Sequence, residues 1–393
     1  MRSINPIRES CEMMMKNKWQ YRKIGDVCVI ERGSSPRPID QFITEDGGGI
    51  NWIKIGDTTE SMYITETAQK IKPEGMKKSR YVEPGDFLLS NSMSFGRPYI
   101  LKIDGCIHDG WLVLKDKDEI FDKRFLYYYL SSKATYQKFK HMAVGGVVNN
   151  LNSEMVRKID VPVPSKDEQM DTADLLDKIC NIISLRKREL NCLDDLIRAR
   201  FVEFFGDPVA NDKGWDTEIC RNLMSKIGSG ATPKGGKESY CDEGISLIRS
   251  MNVYNNRFEY KDLAHITDEQ AEQLNNVTIE KKDILLNITG ASVARCCIVP
   301  DDLLPARVNQ HVSILRCKER VLPDFVCNMF TEHNYQGLLW NVATAGGATR
   351  EAITKQQIEE LILIIPPIDL QKQFVAFVAQ TNKSKFTKTF RPL

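Results

Sequence analysis

No apolar run in this sequence approaches the roughly 18–20 residues of a membrane-spanning helix, and its opening residues do not read as a signal peptide. The chain is therefore expected to make no membrane contact and to work in the cytoplasm. Histidine is scarce, with 5 in 393 residues, all single. The 11 cysteines are unpatterned: no Cys-x-x-Cys pair occurs, and only Cys296 and Cys297 adjoin. Such spacing supplies no ligand set for zinc, so no metal is expected. The thiols read as reduced and mostly buried. An excess of one charge is also missing. The 54 basic residues face 53 acidic ones, a net of +1. That excludes an indiscriminate polycation, but not a local patch that meets nucleic acid.

Catalytic signatures are lacking too. Gly228-Ser229-Gly230 through Gly235-Gly236-Lys237 resembles a phosphate loop, but Ala231 stands where its first glycine belongs and Glu238 replaces the Mg²⁺-binding Ser/Thr. Glu280-Lys281-Lys282 has the Glu-x-Lys end of some nucleases. Its counterpart Glu83-Pro84-Gly85 has no lysine, so a surface turn is the better reading. No Ser/His/Asp or Cys/His arrangement can be assembled from the spacing. No catalytic residue is expected.

What is present is a repetition. The stretch from about Trp19 to Gln169 recurs from about Trp215 to Gln373. Gly33-Ser34-Ser35-Pro36-Arg37-Pro38 returns as Gly230-Ala231-Thr232-Pro233-Lys234-Gly235. Ile50-Asn51-Trp52-Ile53-Lys54 returns as Ile245-Ser246-Leu247-Ile248-Arg249, and Gly85-Asp86-Phe87-Leu88-Leu89 as Lys282-Asp283-Ile284-Leu285-Leu286. The offset of about 200 residues far exceeds a solenoid unit of about 20–50 and is one domain's worth. Each copy reads as short strands broken by Gly, Pro and Asn, such as Phe87-Leu88-Leu89 and Trp111-Leu112-Val113-Leu114, with a helix over 125–139. The expected fold is α+β, two similar sheet-rich domains joined by a long α-helix. Trp52 and Trp111 read as core.

From Lys166 to Phe205 there is neither Pro nor Gly, and the composition favours helix throughout. Ser165 with Glu168 forms a capping box at its start, and Gly206-Asp207-Pro208 stops it. Leu176, Ile179, Ile183, Leu190, Leu193, Ile197 and Phe204 step along one seam, missing at Arg186 and Arg200. A seam of this kind needs a partner helix, so an antiparallel coiled coil is expected. The start of that helix returns near Ile368, where Phe374 and Phe377 give an apolar face, but the chain soon turns basic and ends at Leu393. A stub of about sixteen residues spans only about 24 Å. It can cover the seam near Leu176 and Ile179 or near Ile197 and Phe204, not both, and the remainder invites self-association. The expected division is a loose extension over 1–18, domains over 19–165 and 207–368, the spacer helix over 166–206, and a short helix and tail over 369–393.

This order resembles the specificity subunits of Type I restriction-modification systems, and the resemblance runs from Trp19 onward. It rests on Trp19 with Ile24-Gly25-Asp26, on Gly33-Ser34-Ser35-Pro36-Arg37-Pro38, on Gly85-Asp86-Phe87-Leu88-Leu89, and on Val161-Pro162-Val163-Pro164-Ser165 with Glu168-Gln169. Phe204-Phe205-Gly206-Asp207-Pro208 adds to it. The resemblance implies a target recognition domain in each copy, reading one half of a split site in double-stranded DNA. It implies helices that dock two methyltransferase subunits, and restriction and motor subunits that join for cleavage. S-adenosylmethionine would belong to those partners, with no cofactor in this chain. The adenine-methyltransferase motif is not met here, because Ile365-Pro366-Pro367-Ile368 lacks its polar amide and its aromatic. A stand-alone DNA-binding regulator, or a truncated, phase-variable specificity allele, is the alternative.

Base edges are read by Arg or Lys at guanine and by Asn or Gln at adenine, while Lys, Arg, Ser and Thr position phosphates. Polar loops with such residues coincide in the two copies. The first offers Ser34, Arg37, Ser92, Arg97, Asn149, Asn150 and Asn152; the second offers Thr232, Thr289, Arg295, Asn309, Gln310 and Arg350. Arg97, Asn149, Asn150, Arg295 and Gln310 are the expected base readers. Lys54, Arg249, Lys234 and Lys237 are the expected phosphate contacts.

Overall fold

Short strands with buried faces assemble into open sheets in each half of the chain. The computed structural model describes residues 19–92, 95–116, 118–143, 150–233, 236–345 and 351–387, with the side chains of 237, 386 and 387 left aside. It divides into two compact units, the first ending at Leu185 and the second beginning at Arg186.

In the first unit one five-stranded sheet runs in the order Val29–Arg32, Trp111–Lys115, Phe87–Ser90, Pro98–Leu101, Tyr63–Ile64. A second is built on Ile50–Ile53, which pairs in parallel with Gly105–Ile107. Trp52 and Trp111 are both buried, and the Trp111 indole N–H donates to the Ile53 carbonyl at 3.2 Å. The expected single helix over 125–139 is two helices, Lys123–Ser131 and Lys133–Ala143. Ser132 breaks it by adopting extended backbone, and its hydroxyl accepts from the Thr135 N–H. A serine satisfies the new N-terminus better than a continuing turn could.

The second unit repeats the plan with fewer strands. Its main sheet runs Met224–Ser229, Val312–Cys317, Ile284–Asn287, Cys296–Ile298, and Ile245–Ile248 again pairs in parallel, with Ala306–Val308. The Glu280-Lys281-Lys282 turn is structural: Glu280 and the fully buried Asp283 hold Arg316, Lys281 pairs with Asp301 and Lys282 with Asp324. Gly228 lies in a strand and Gly236–Ser239 is one short 3₁₀ turn, so no α-helix follows to make a phosphate loop.

The spacer is a continuous helix, Lys166–Phe205. Its start carries the expected reciprocal cap, Ser165 N–H to Glu168 at 3.1 Å and Glu168 N–H to the Ser165 hydroxyl at 3.3 Å. Gly206, at φ +74°, ends it in the left-handed conformation that glycine takes without strain. Gln169, next after Glu168, is buried and bonds only to main chain: it donates to the carbonyls of Ile120 and Pro164 and accepts from the Asp122 N–H. Gln371 does the same in the second unit with Arg320, Pro366 and Leu322.

The C-terminal helix is Ile368–Thr387, 20 residues and so longer than the expected stub. No Pro or Gly interrupts those residues, and Lys385 in the last turn binds Asp194 at 2.5 Å. The helix lies antiparallel to the second half of the spacer. Phe374 meets Phe201, Phe204 and Phe205, Phe377 meets Arg200, and the Lys385 carbonyl accepts from Arg186. Both arginines that break the seam thus have specific partners there. Ile197 is buried and Leu190, Leu193 and Phe204 are half-buried, so the covered end is the C-terminal one. In the first unit Leu176 is half-buried, while Ile179, Ile182 and Ile183 are exposed.

Candidate functional site

In each unit the loop after the first strand of the main sheet lies flush against the end of a parallel strand. A Cβ at Gly33 would sit 2.2 Å from the His108 carbonyl oxygen, and one at Gly230 would sit 1.7 Å from that of Val308. Only glycine permits this approach, and it carries the next residues onto the loop behind the strand. There the Ser35 hydroxyl donates to Asp109 Oδ1 at 2.9 Å, and the Thr232 hydroxyl donates to Gln310 Oε1. Gly230→Ala should therefore cost about 1–3 kcal/mol, since the clash is with backbone, and should detach Thr232 from Gln310. A shift in the urea midpoint measures it; an unchanged midpoint would show that the loop yields freely.

Asp109 is held from several sides. The His108 Nε2–H donates to Oδ1 at 2.9 Å, with His108 Nδ1 accepting from the Gly110 N–H. Arg37, largely exposed, approaches Oδ2 at 3.5 Å, and the Asp109 carbonyl accepts from Arg32 and from buried Asn91. Partial burial pushes the carboxyl up, but the Ser35 hydroxyl, His108 and Arg32 outweigh it and hold it below the ordinary carboxylate range. In the second unit a chain of contacts runs on from Thr232. The Gln310 amide meets His311 Nε2 at 3.2 Å, and His311 Nδ1 meets the Thr289 hydroxyl at 2.6 Å. With the amide donating, the ring proton falls on Nδ1. Thr289 and His311 also line a recess of 450 Å³ with Arg295, whose guanidinium lies 4.8 Å from the Tyr254 ring centre.

The structure thus brings Thr232, Thr289 and Gln310 together, with Arg295 in the adjoining recess. Asn309 is buried and its side chain accepts from the His311 N–H, setting the turn. Ser34 bonds the Lys78 carbonyl, and Ser92 borders Gly110. Arg97 is exposed beside a 520 Å³ recess with Phe95, Tyr99, Tyr127 and Tyr136. The hairpins ending at Arg97 and Arg295 match: a left-handed residue, Gly96 or Ala294, precedes each. Lys54 binds Gln69 at 2.7 Å, and Arg249 reaches the Asp262 carbonyl and the Tyr240 ring. Asn150 is exposed. Asn149, Lys234, Arg350 and the side chain of Lys237 lie outside the described residues. Asn152 caps the helix Ser153–Arg157 by accepting from the Met155 N–H at 2.8 Å. Asn152→Ala should cost about 1 kcal/mol in thermal or urea unfolding. A changed sequence preference without that loss would show that Asn152 contacts a ligand instead.

Sequence reasoning named the loop that holds Ser35 but missed His108, Asp109 and His311. A signal existed: Ile107-His108-Asp109-Gly110 stands opposite Val308-Asn309-Gln310-His311 in the two copies. Among the described residues no His/Cys/Asp/Glu group is placed to hold a metal ion, and no helix is long and apolar enough to cross a membrane.

The family model described as Type I restriction modification DNA specificity domain matches residues 16–194 and again 221–389. The chain is 22% identical to the Type I restriction enzyme MjaIX specificity subunit of Methanocaldococcus jannaschii, over 92% of this chain and 86% of the relative. It is 20% identical to the EcoBI specificity subunit of Escherichia coli, over 84% and 73%. The fold is similar to that of the Type I restriction-modification S subunit from M. genitalium, with TM-score 0.51, 13% identity and coverage of 94% and 90%. A chain solved in work on complex assembly and conformational transition of the type I R-M system gives TM-score 0.54 at 16% identity, covering 94% and 91%.

Proposed function

The chain belongs to the family of Type I restriction-modification DNA specificity domains, and from that premise we propose that its two units each read one half of a bipartite site in double-stranded DNA. The reading is of a binding subunit that does no chemistry itself. Two methyltransferase subunits supply S-adenosylmethionine and the transfer to adenine, and restriction and motor subunits complete the assembly in the cytoplasm. The observation that carries this is the paired brace: Ser35 on Asp109 and Thr232 on Gln310 hold polar groups at the same place in two copies of one fold. A duplicated reading surface suits a target of two parts. The exposed Ile179, Ile182 and Ile183 supply an apolar stripe for a docking subunit or for self-association.

Methylome sequencing of a host carrying the complete complex tests the reading. Two short blocks separated by unread bases are expected, with no methylation by the purified chain alone. A continuous recognition sequence, or methyl transfer without the partners, would overturn it.

A further inference from the structure

A carboxylate is out of place on a surface that meets phosphates, because it repels every backbone oxygen and accepts hydrogen bonds only. Asp109 is nevertheless built in with care. Ser35 and His108 hold Oδ1 from two directions, and Arg32 and Asn91 fix its carbonyl. Among the described residues, Oδ2 has only the long 3.5 Å approach of Arg37, whose side chain is largely exposed. One oxygen is thus used to set the orientation, and the other keeps its acceptor capacity. The same position in the second unit holds Gln310, exposed to solvent, its carbonyl braced by Thr232 and its amide by His311, with one acceptor site and one N–H left over. The two copies therefore present different chemistry from one scaffold: an acceptor in the first unit, a donor and acceptor in the second.

Resting on the DNA-reading function above, we propose that Asp109 is a specificity-determining residue of the first unit, accepting from the exocyclic amino group of a cytosine in the major groove. Gln310 is its counterpart in the second unit, and suits adenine, which offers one donor and one acceptor on that edge. A carboxylate can pair with the cytosine N4 amino group and rejects the bare acceptors of guanine. Ser35 and His108 act as positioning residues, since they touch the base only through Asp109. The two half-sites should consequently differ at the base pair that this shared position meets.

Asp109→Asn separates reading from bracing. An asparagine carbonyl still accepts from Ser35 and His108, while its amino group replaces the free acceptor with a donor. The variant is assembled into the complete complex, and the methylome is compared with that of the unaltered complex. Duplexes carrying the methylome-defined site, with each base pair substituted in turn, then give binding discrimination. Cytosine is expected to lose its preference at one position of one block, by about tenfold or more, with the other block unchanged. Ser35→Ala should keep the preferred base and weaken discrimination at that same position. Gln310→Glu, in the other unit, should shift one position of the other block towards cytosine, and it carries the test if the Asp109 variant does not assemble. A uniform loss of affinity with every base preference intact would make Asp109 a brace alone and would overturn the proposal. Absence of any two-block motif in the unaltered complex would instead remove the function on which it rests.

Discussion

Exchanging residues 19–163 for the matching domain of a relative will change one block of the methylated sequence and leave the other as it was. The warrant is in the cores. The apolar clusters around Ile24, Phe125 and Val161, around Ile53 and Trp111, and around Trp52 and Cys106 draw only on the first unit. Those around Phe205 and Phe330, and around Leu247 and Val308, draw only on the second. The cut keeps one strand pair whole but crosses the contacts of Arg124 with Asp174 and Asp177 and of Tyr128 with Asp177, which the incoming domain must match. Tyr21–Lys23 pairs antiparallel with Asp160–Pro162, Tyr21 opposite Pro162, so both partners leave together. Each unit also carries its own braced pair, Ser35–Asp109 or Thr232–Gln310. Methylome sequencing of the exchanged protein reads the result. Loss of both blocks in a chain that still folds would mean that the two units do not read separately.

The second large effect is on stability. Phe374→Ala should destabilise the second unit by about 3–5 kcal/mol, a large share of the roughly 5–15 kcal/mol that holds an ordinary domain folded. Phe374 is fully buried, with its ring centre 5.5 Å from that of Phe201 and 5.4 Å from that of Phe205. Phe325 of the domain stacks on Phe201 at 5.8 Å and meets Phe205 edge-on at 4.8 Å, so the cluster joins both helices to the domain core. Truncation leaves a cavity among rigid rings that cannot close over it. Urea unfolding of the full chain measures the loss. A change below about 1 kcal/mol would show that the C-terminal helix is an appendage and not part of the core.

Local pattern carried much of this into the sequence. Ile245-Ser246-Leu247-Ile248 is a strand over those four residues, and Phe87-Leu88-Leu89 lacks only Ser90. The spacer helix has the cap and the stop that Ser165, Glu168 and Gly206 announce, because helix ends are decided by neighbours a few residues away. The Ser132 break was hidden because a serine inside a helical run reads equally as a surface position. The candidate site was half legible. The loops around Ser34 and Thr232 stood out through their repetition, yet Ser35 finds Asp109 across 74 residues and Thr232 finds Gln310 across 78. Pairings at that distance depend on how strands register, which composition does not encode. Asn309 and Asn152 were placed in polar loops expected near DNA, and their amides set a turn and cap a helix, roles that amides suit equally well.

Gln169 and Gln371 explain how such a chain tolerates change. Each glutamine fastens a helix to its domain through one N–H and two carbonyls, all of them main chain. Every residue except proline offers the same N–H, and every residue offers the carbonyl. This part of the coupling is therefore indifferent to which side chains the domain carries at those positions, and it works beside side-chain contacts such as Arg124 with Asp174 and Asp177 in the first unit and the Phe201–Phe205–Phe374 cluster in the second. A domain can change in its loops, or be exchanged whole, and still offer the helix the same main-chain partners. New specificities can then arise by exchange of whole reading heads, without the joint having to be re-evolved each time.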